Sequence, residues 1–285
     1  MTLIDGKAIA EKIKAELAKK AKTVKRTLAV ILVGADPASE IYVGNKVKAC
    51  EQVGIKSVVH RFDEKISRDE LCDFIEKLNR DHSVHGILVQ LPLPAHLNDP
   101  MVYRRVSWAK DVDGFHPANV GYLSLGEVES HIVDKPFIPC TALACLECIK
   151  STGVPLKGAH AVVVGRSNIV GKPVAQLLLN HDCTVTVAHS HTKDLATITR
   201  QADILVVAVG KKHLITRDMV KKGAVVIDVG ISRQRDVASG NASRIFGDVD
   251  FENVKDVAAY ITPVPGGVGP LTVAMLLKNV LDCGE

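Results

Sequence analysis

Apolar residues along this chain fall into two alternating patterns. Short unbroken runs of strand length, such as LAVILVG from Leu28, GILV from Gly86 and HAVVV from His160, are separated by stretches whose apolar positions recur at helical spacing. The first half reads as helix 5–24 with Asp5 as cap, strand 28–34, helix 39–54 ending at Gly54, strand 56–62, helix 67–81 and strand 84–91. A second alternation reads as helix 141–152, strand 160–164, a helix to about 181, strand 184–188, helix 193–201, strand 203–209, helix 216–222, strand 224–229 and a last apolar helix at 270–282. Such alternation predicts right-handed crossovers on parallel sheets. Residues 92–138 break the rhythm with PLP, DVDGFHP and polar turns, and are expected to form long loops with little regular structure. The expected fold is two α/β domains, an N-terminal crossover-built sheet domain and, where the strand HAVVV runs through the glycine turn GRSNIVG into a helix, a Rossmann-like dinucleotide-binding domain, with an interdomain cleft. The Pro/Gly stretch ITPVPGGVGP makes a crossing that lets the last helix return to the first domain, giving 1–138 with 268–285 and 139–267 as the expected boundaries.

Composition narrows the class. A length of 285 residues, 47% hydrophobic and 24% charged, suits a globular protein of two domains. The net charge of +4 is small and scattered, which argues against nucleic acid, and the basic cluster from Lys19 to Arg26 reads as the coat of a helix end. Residues 1–25 lack a signal-peptide core and no apolar run reaches spanning length, so a cytoplasmic protein without a membrane segment is expected. Seven scattered cysteines do not form a disulfide framework. Cys145 and Cys148 make a CxxC inside an expected helix with no histidine pair nearby, so they read as packed thiols and no metal site is expected.

Candidate chemistry sits where strands end. Asp36 or Ser39 can cap the helix after the first apolar strand, and Tyr42 and Lys46 lie four apart on one face of it. A lysine beside an aromatic ring can hold a flat ligand and move protons; the plain alternative is a solvated lysine. Gln90 follows four apolar residues at the carboxyl edge of a sheet, bonded either to local backbone or to a ligand and Lys46. Asp111 and Asp113 in KDVDGFHP form a turn or grip a guanidine-like ligand edge, while a calcium loop lacks its remaining ligands. VVVGRSNIVGKP has the strand, glycine turn and helix of a pyrophosphate site, with Gly165 at the turn, Gly171 at a close approach and Pro173 in the first helical turn. The spacing is not GxGxxG, since Ser167 replaces the middle glycine. The next strand ends in AHSHT without a carboxylate before Asp194, so Ser190 and Arg166 favour the 2′-phosphate of NADP over NAD.

YVGNK, VQLPLP, KDVDGFHP, PCT, VVVGRSNIVGKP and TPVPGGVGPLT occur in one order across nearly the whole length. With them the chain closely resembles the bacterial bifunctional methylenetetrahydrofolate dehydrogenase/methenyltetrahydrofolate cyclohydrolase family. The resemblance implies NADP-dependent oxidation of 5,10-methylenetetrahydrofolate, hydrolysis of the product to 10-formyltetrahydrofolate, tetrahydrofolate one-carbon derivatives as ligands, and a homodimer. It implies that residues 1–138 with 268–285 bind folate. Tyr42 would stack on the folate rings, Lys46 would be the central catalytic residue, Gln90 would hold it, and Asp113 would bind the amino-pyrimidine edge, Asp111 being the weaker candidate. Gly165, Arg166, Ser167, Ser190 and Ile231 would contact NADP, with Thr141 beside the nicotinamide. Pro263 to Gly269, including Pro265, Gly266 and Gly267, would bring backbone close to both ligands. The family's usual PCTP is PCTA here, with Ala142 replacing the proline. Rival readings are a dehydrogenase with little cyclohydrolase activity and a catalytically silent sensor.

Overall fold

The apolar runs become the inner strands of two parallel sheets in a computed structural model that describes residues 1–127, 136–235 and 243–284. The chain runs β1 (Thr2–Leu3), α1 (Gly6–Lys20), β2 (Thr27–Val33), α2 (Pro37–Val53), β3 (Lys56–Phe62), α3 (Arg68–Arg80) and β4 (Gly86–Val89). The short helices α4 (Pro100–Tyr103) and α5 (Pro117–Leu125) follow, then α6 (Cys140–Lys150). Next come β5 (His160–Val164), α7 (Gly171–Asn180), β6 (Thr184–Ala188), α8 (Leu195–Thr199), β7 (Ile204–Val207) and β8 (Val225–Asp228). A hairpin of β9 (Ser232–Arg235) and β10 (Ser243–Phe246), then α9 (Phe251–Val254), β11 (Tyr260–Ile261) and α10 (Val268–Asp282), complete the order. Two compact units result: Met1–Ala10 with Thr141–Thr272, and Glu11–Cys140 with residues 273–285.

The second of these units carries a three-stranded parallel sheet in the order β3-β2-β4. Its middle strand is apolar at nearly every position because both faces are covered, and Ile31, Leu71, Ile75, Ile87 and Leu97 pack in its core. Helix α2 begins where Asp36 accepts the Ser39 N–H at 2.8 Å and stops at Gly54, whose φ of 93° suits glycine. Gly86 has no room for a side chain because Val112 lies against it, and the Ile87 N–H reaches the Lys110 carbonyl at 2.7 Å. The DVDG loop is thereby seated along β4. Within the basic cluster, Lys20 pairs with Asp282 at 2.8 Å and Arg26 Nε reaches the Cys283 carbonyl at the same distance. The expectation of loops through 92–138 is corrected at α5: His116 caps it, Pro117 opens it and Gly126 ends it, a start and stop signal present in FHPANVGYLSLG. Part of that stretch, 128–135, lies outside the described residues.

The other unit holds a six-stranded sheet in the order β1-β11-β8-β7-β5-β6, parallel throughout. The order turns back at β5, which has β6 on one side and β7 on the other. In open α/β sheets that reversal marks the crevice for a ligand at the carboxyl ends of the strands. The expected helix at 216–222 is a single short turn at Arg217–Met219, because Thr216 bonds Asp218 at 2.6 Å and Val220 is already extended. The N-terminal residues also differ from the expected division. Thr2 and Leu3 pair with Tyr260 and Ile261, and the Thr2 and Ile4 N–H groups reach the Ala259 and Ile261 carbonyls, so this segment joins the six-stranded sheet. Among the described residues no helix is long and apolar enough to cross a membrane.

Candidate active site

Lys46 rises from the third turn of α2, and Gln90 is the first residue beyond β4, at the carboxyl edge of the three-stranded sheet. Lys46 Nζ donates to Gln90 Oε1 at 3.0 Å. Gln90 is only 7% exposed, and its Nε2 donates to the Leu91 carbonyl at 2.6 Å. Of the alternatives read from sequence, one end of the amide makes the local-backbone bond and the other makes the bond to Lys46. An amide held at one end by backbone presents its oxygen in one place, which fixes the amine bonded to it. Tyr42, one turn before Lys46, is 37% exposed. Asp113 is half-buried; burial raises its carboxyl above the ordinary carboxylate range, and the Lys46 charge pulls the other way. Lys46, Gln90 and Asp113 thus form one polar group at the end of the three-stranded sheet.

The loop that delivers Asp113 is fixed by buried amides. Asp111 Oδ2 accepts the His116 N–H at 2.6 Å and Asn119 Nδ2 at 3.0 Å, and Asn119 also donates to the Trp108 carbonyl while its oxygen accepts the Phe137 N–H. Asn279 Nδ2 bridges the Val112 and Ile138 carbonyls at 2.9 and 3.0 Å, and Cys140 Sγ donates to the same Val112 carbonyl. Asp111 is a loop brace, and Asp113 is the carboxylate left at the site. Asn119 and Asn279 escaped the sequence reading, since a buried asparagine carries no spacing signal.

At the six-stranded sheet, β5 ends in Val164 and β6 in Ala188, which are register partners, so Arg166 and Ser190 both stand two residues beyond the paired edge, and both are exposed. Gly165 has a φ of 124°, and a side chain there would overlap the Ala208 carbonyl; one at Gly171 would overlap the Gly165 carbonyl. The turn therefore closes backbone on backbone, a cradle only glycine permits. The N–H groups at the start of α7 are not all open to a ligand. Ser167 Oγ accepts those of Val170 and Gly171 at 3.2 and 3.3 Å, which leaves its hydroxyl proton free to donate. The strand end carries His189 and His191 in edge contact, with no carboxylate, and the Arg166 charge helps hold the His189 imidazole below its ordinary pKa, after burial.

Ile231 is 48% exposed just past β8, in the same unit. Thr141 lies in the first turn of α6. Pro265, Gly266 and Gly267 form the turn before α10, with a cis bond at Val264–Pro265 and Gly266 at φ 108°; a side chain at Gly6 would overlap the Gly267 carbonyl. Cys145 and Cys148 are both fully buried, and burial raises both thiols, Cys148 to about 12. Asp228 and Asp248, buried at this sheet edge, were also missed; the clue was a carboxylate closing an apolar strand, VVID.

Family models for tetrahydrofolate dehydrogenase/cyclohydrolase match the chain twice, the catalytic domain over residues 4–113 and the NAD(P)-binding domain over 139–285. The chain is 52% identical over 289 residues to the bifunctional protein FolD of Delftia acidovorans, covering 99% of this chain and 97% of the relative. It superposes with a TM-score of 0.92 on a crystal structure of FolD methylenetetrahydrofolate dehydrogenase/cyclohydrolase from Campylobacter jejuni, at 52% identity and 100% and 98% coverage. The Trypanosoma brucei enzyme complexed with NADP and an inhibitor gives the same TM-score at 39% identity, with 99% and 97% coverage.

Proposed function

The chain belongs to the tetrahydrofolate dehydrogenase/cyclohydrolase family, and from that membership we propose how its own residues carry out the two reactions. It oxidises 5,10-methylenetetrahydrofolate to the 5,10-methenyl cation with NADP and hydrolyses the cation to 10-formyltetrahydrofolate. The glycine cradle at Gly165 and Gly171, the exposed Arg166 and Ser190, and the lack of a carboxylate at the end of β6 suit a dinucleotide bearing a 2′-phosphate. When bound, NADP supplies a hydride acceptor. In this reading Gly165, Arg166, Ser167, Ser190 and Ile231 hold the dinucleotide and Thr141 lies beside its nicotinamide.

Tyr42 stacks on the folate ring system, Asp113 binds its amino-pyrimidine edge, and Pro265 to Gly267 bring backbone to the substrate. Oxidation asks mainly for placement, since the folate nitrogens stabilise the cation that hydride loss creates. Hydrolysis asks for proton transfer. Water adds to the one-carbon centre and loses a proton; the adduct's hydroxyl then loses the water's second proton as the carbonyl forms and the bond from that carbon to N5 breaks, and N5 takes one proton, so cation and water give the formyl product and one proton. Lys46 moves that proton, and Gln90 fixes where its amine stands. Residues 11–140 with 273–285 are the folate-binding part in this reading, and the enzyme works in the cytoplasm as the homodimer that the resemblance implies.

The observation that carries these roles is the 3.0 Å bond from Lys46 to an amide anchored on its own backbone. Lys46→Met is expected to lose cyclohydrolase activity by at least about 100-fold, the scale of general acid–base catalysis, while calorimetry still shows NADP binding. Hydrolysis at the parent rate by that variant overturns the assignment.

A further inference from the structure

Beyond the end of the six-stranded sheet, two buried carboxylates bind the backbone of three segments. Asp228 closes β8 and is 3% exposed; Asp248 follows β10 and is fully buried. Asp228 Oδ1 accepts the N–H groups of Gly230 and Asp248 at 2.9 and 3.0 Å, and Oδ2 accepts that of Val249 at 2.9 Å. Asp248 Oδ2 accepts the N–H groups of Val209 and Gly210, just past β7, at 2.7 and 2.9 Å. Five backbone donors thus converge on two side chains.

The packing is reciprocal. A side chain at Gly230 would overlap the Asp248 carboxyl group, and one at Gly247 would overlap Asp228. Each aspartate lies against a glycine beside its counterpart. Among the described residues, Asp248 Oδ1 is buried with no hydrogen-bond partner. Burial pushes the Asp228 carboxyl up to about 6, against the pull of its three N–H donors, and the Asp248 charge adds to the rise. Two such groups are costly to bury, so a plain turn is a poor account of them.

What they hold is the stretch that leaves the sheet toward Ile231. The chain runs from Asp228 through Gly230 and Ile231 into β9, returns along β10 and reaches Asp248. Ser232 Oγ donates to the Gly210 carbonyl at 3.2 Å, which ties the same stretch to the end of β7. Ile231 and Val209, 48% and 40% exposed, are the apolar side chains presented there. We propose that Asp228 and Asp248 are positioning residues for the dinucleotide: joined by the Asp248 N–H, they fix Val209–Gly210 and Gly230–Ile231 as one edge against which the cofactor rests. This rests on the placement of NADP at the carboxyl ends of this sheet. A positioning role differs from general stabilisation in which activity it touches, because the cyclohydrolase step consumes no NADP.

The two activities give an internal control. In Asp248→Ala the N–H groups of Val209 and Gly210 lose their acceptor, and the dehydrogenase KM for NADP is expected to rise at least tenfold. Its kcat should stay within about threefold, and cyclohydrolase kcat/KM measured without NADP within about twofold. Asp248→Asn keeps an oxygen for those donors and should lie between, with KM raised about threefold. Should the alanine variant not fold, the asparagine variant decides alone. An unchanged KM for NADP, or both activities falling in step, overturns the proposal. Wild-type protein is run alongside: if it shows no NADP-dependent oxidation, the functional reading fails first and the clamp with it.

Discussion

Asp111 and Asp113 stand two residues apart on one loop and come to different ends. The first is wrapped by the His116 N–H and the Asn119 amide, and the second is left beside Lys46. Burial pushes Asp111 up to about 7, against the pull of its donors and with a smaller push from Asp113. Its pKa in the unfolded chain is near the ordinary value of about 4, so the folded state holds a proton that the unfolded state has lost between those limits. Stability contributed by Asp111 is therefore present below pH 4 and lost as pH rises through 7. Asp111→Asn removes this slope. Relative to the variant, the parent chain should lose on the order of 3 kcal/mol between pH 4 and pH 8 in urea unfolding. Parallel profiles would show that the carboxyl is ionised in the fold throughout. Sequence patterning named both aspartates and only the family resemblance ranked Asp113 above Asp111; the physical reason for Asp111's place is Asn119, which nothing in DVDGFHPAN marks as buried.

At the scale of elements, glycines decide how closely backbones approach. Gly171 opens α7 against the Gly165 carbonyl, and a methyl group there must push the helix from the turn. Gly171→Ala is expected to weaken NADP binding at least tenfold by calorimetry while the Lys46-dependent hydrolysis persists; unchanged affinity would mean that this turn does not bear the dinucleotide. The strands were legible because apolar runs such as LAVILV and HAVVV are long enough to be buried on both faces. Capped helices were legible too, with Asp36 and Gly54 bounding α2. Elements held mainly by tertiary contact were not. Strand β1 has two residues and needs β11 to exist, β9 and β10 need each other, and 216–222 has apolar positions whose backbone follows Thr216 and Asp218 instead.

At the scale of the molecule, neither compact unit is a contiguous piece of chain. The unit bearing Lys46 takes its last segment from residues 273–285, where Leu276, Leu277, Val280 and Leu281 are buried and Asn279 bridges the Val112 and Ile138 carbonyls. Burying each such side chain is worth about 1.5–3 kcal/mol, so losing four together removes most of a typical domain's stability of roughly 5–15 kcal/mol. Residues 11–140 made alone are expected to show no cooperative transition in scanning calorimetry; a sharp endotherm near that of the whole chain would count against the division. The return of the last helix was readable from its position after a Pro/Gly crossing. The departure of the first ten residues was not, since a two-residue strand leaves no period to read.

That first strand also sets an order of events during synthesis. Thr2 and Leu3 leave the ribosome long before their partners Tyr260 and Ile261. The sheet that holds the dinucleotide must therefore keep an open edge at β11's place until residue 261 has been made. The Lys46 unit likewise waits for Asn279. Both halves of the chemistry become complete only once these late residues have emerged, so a nascent chain stalled before residue 260 should carry neither activity.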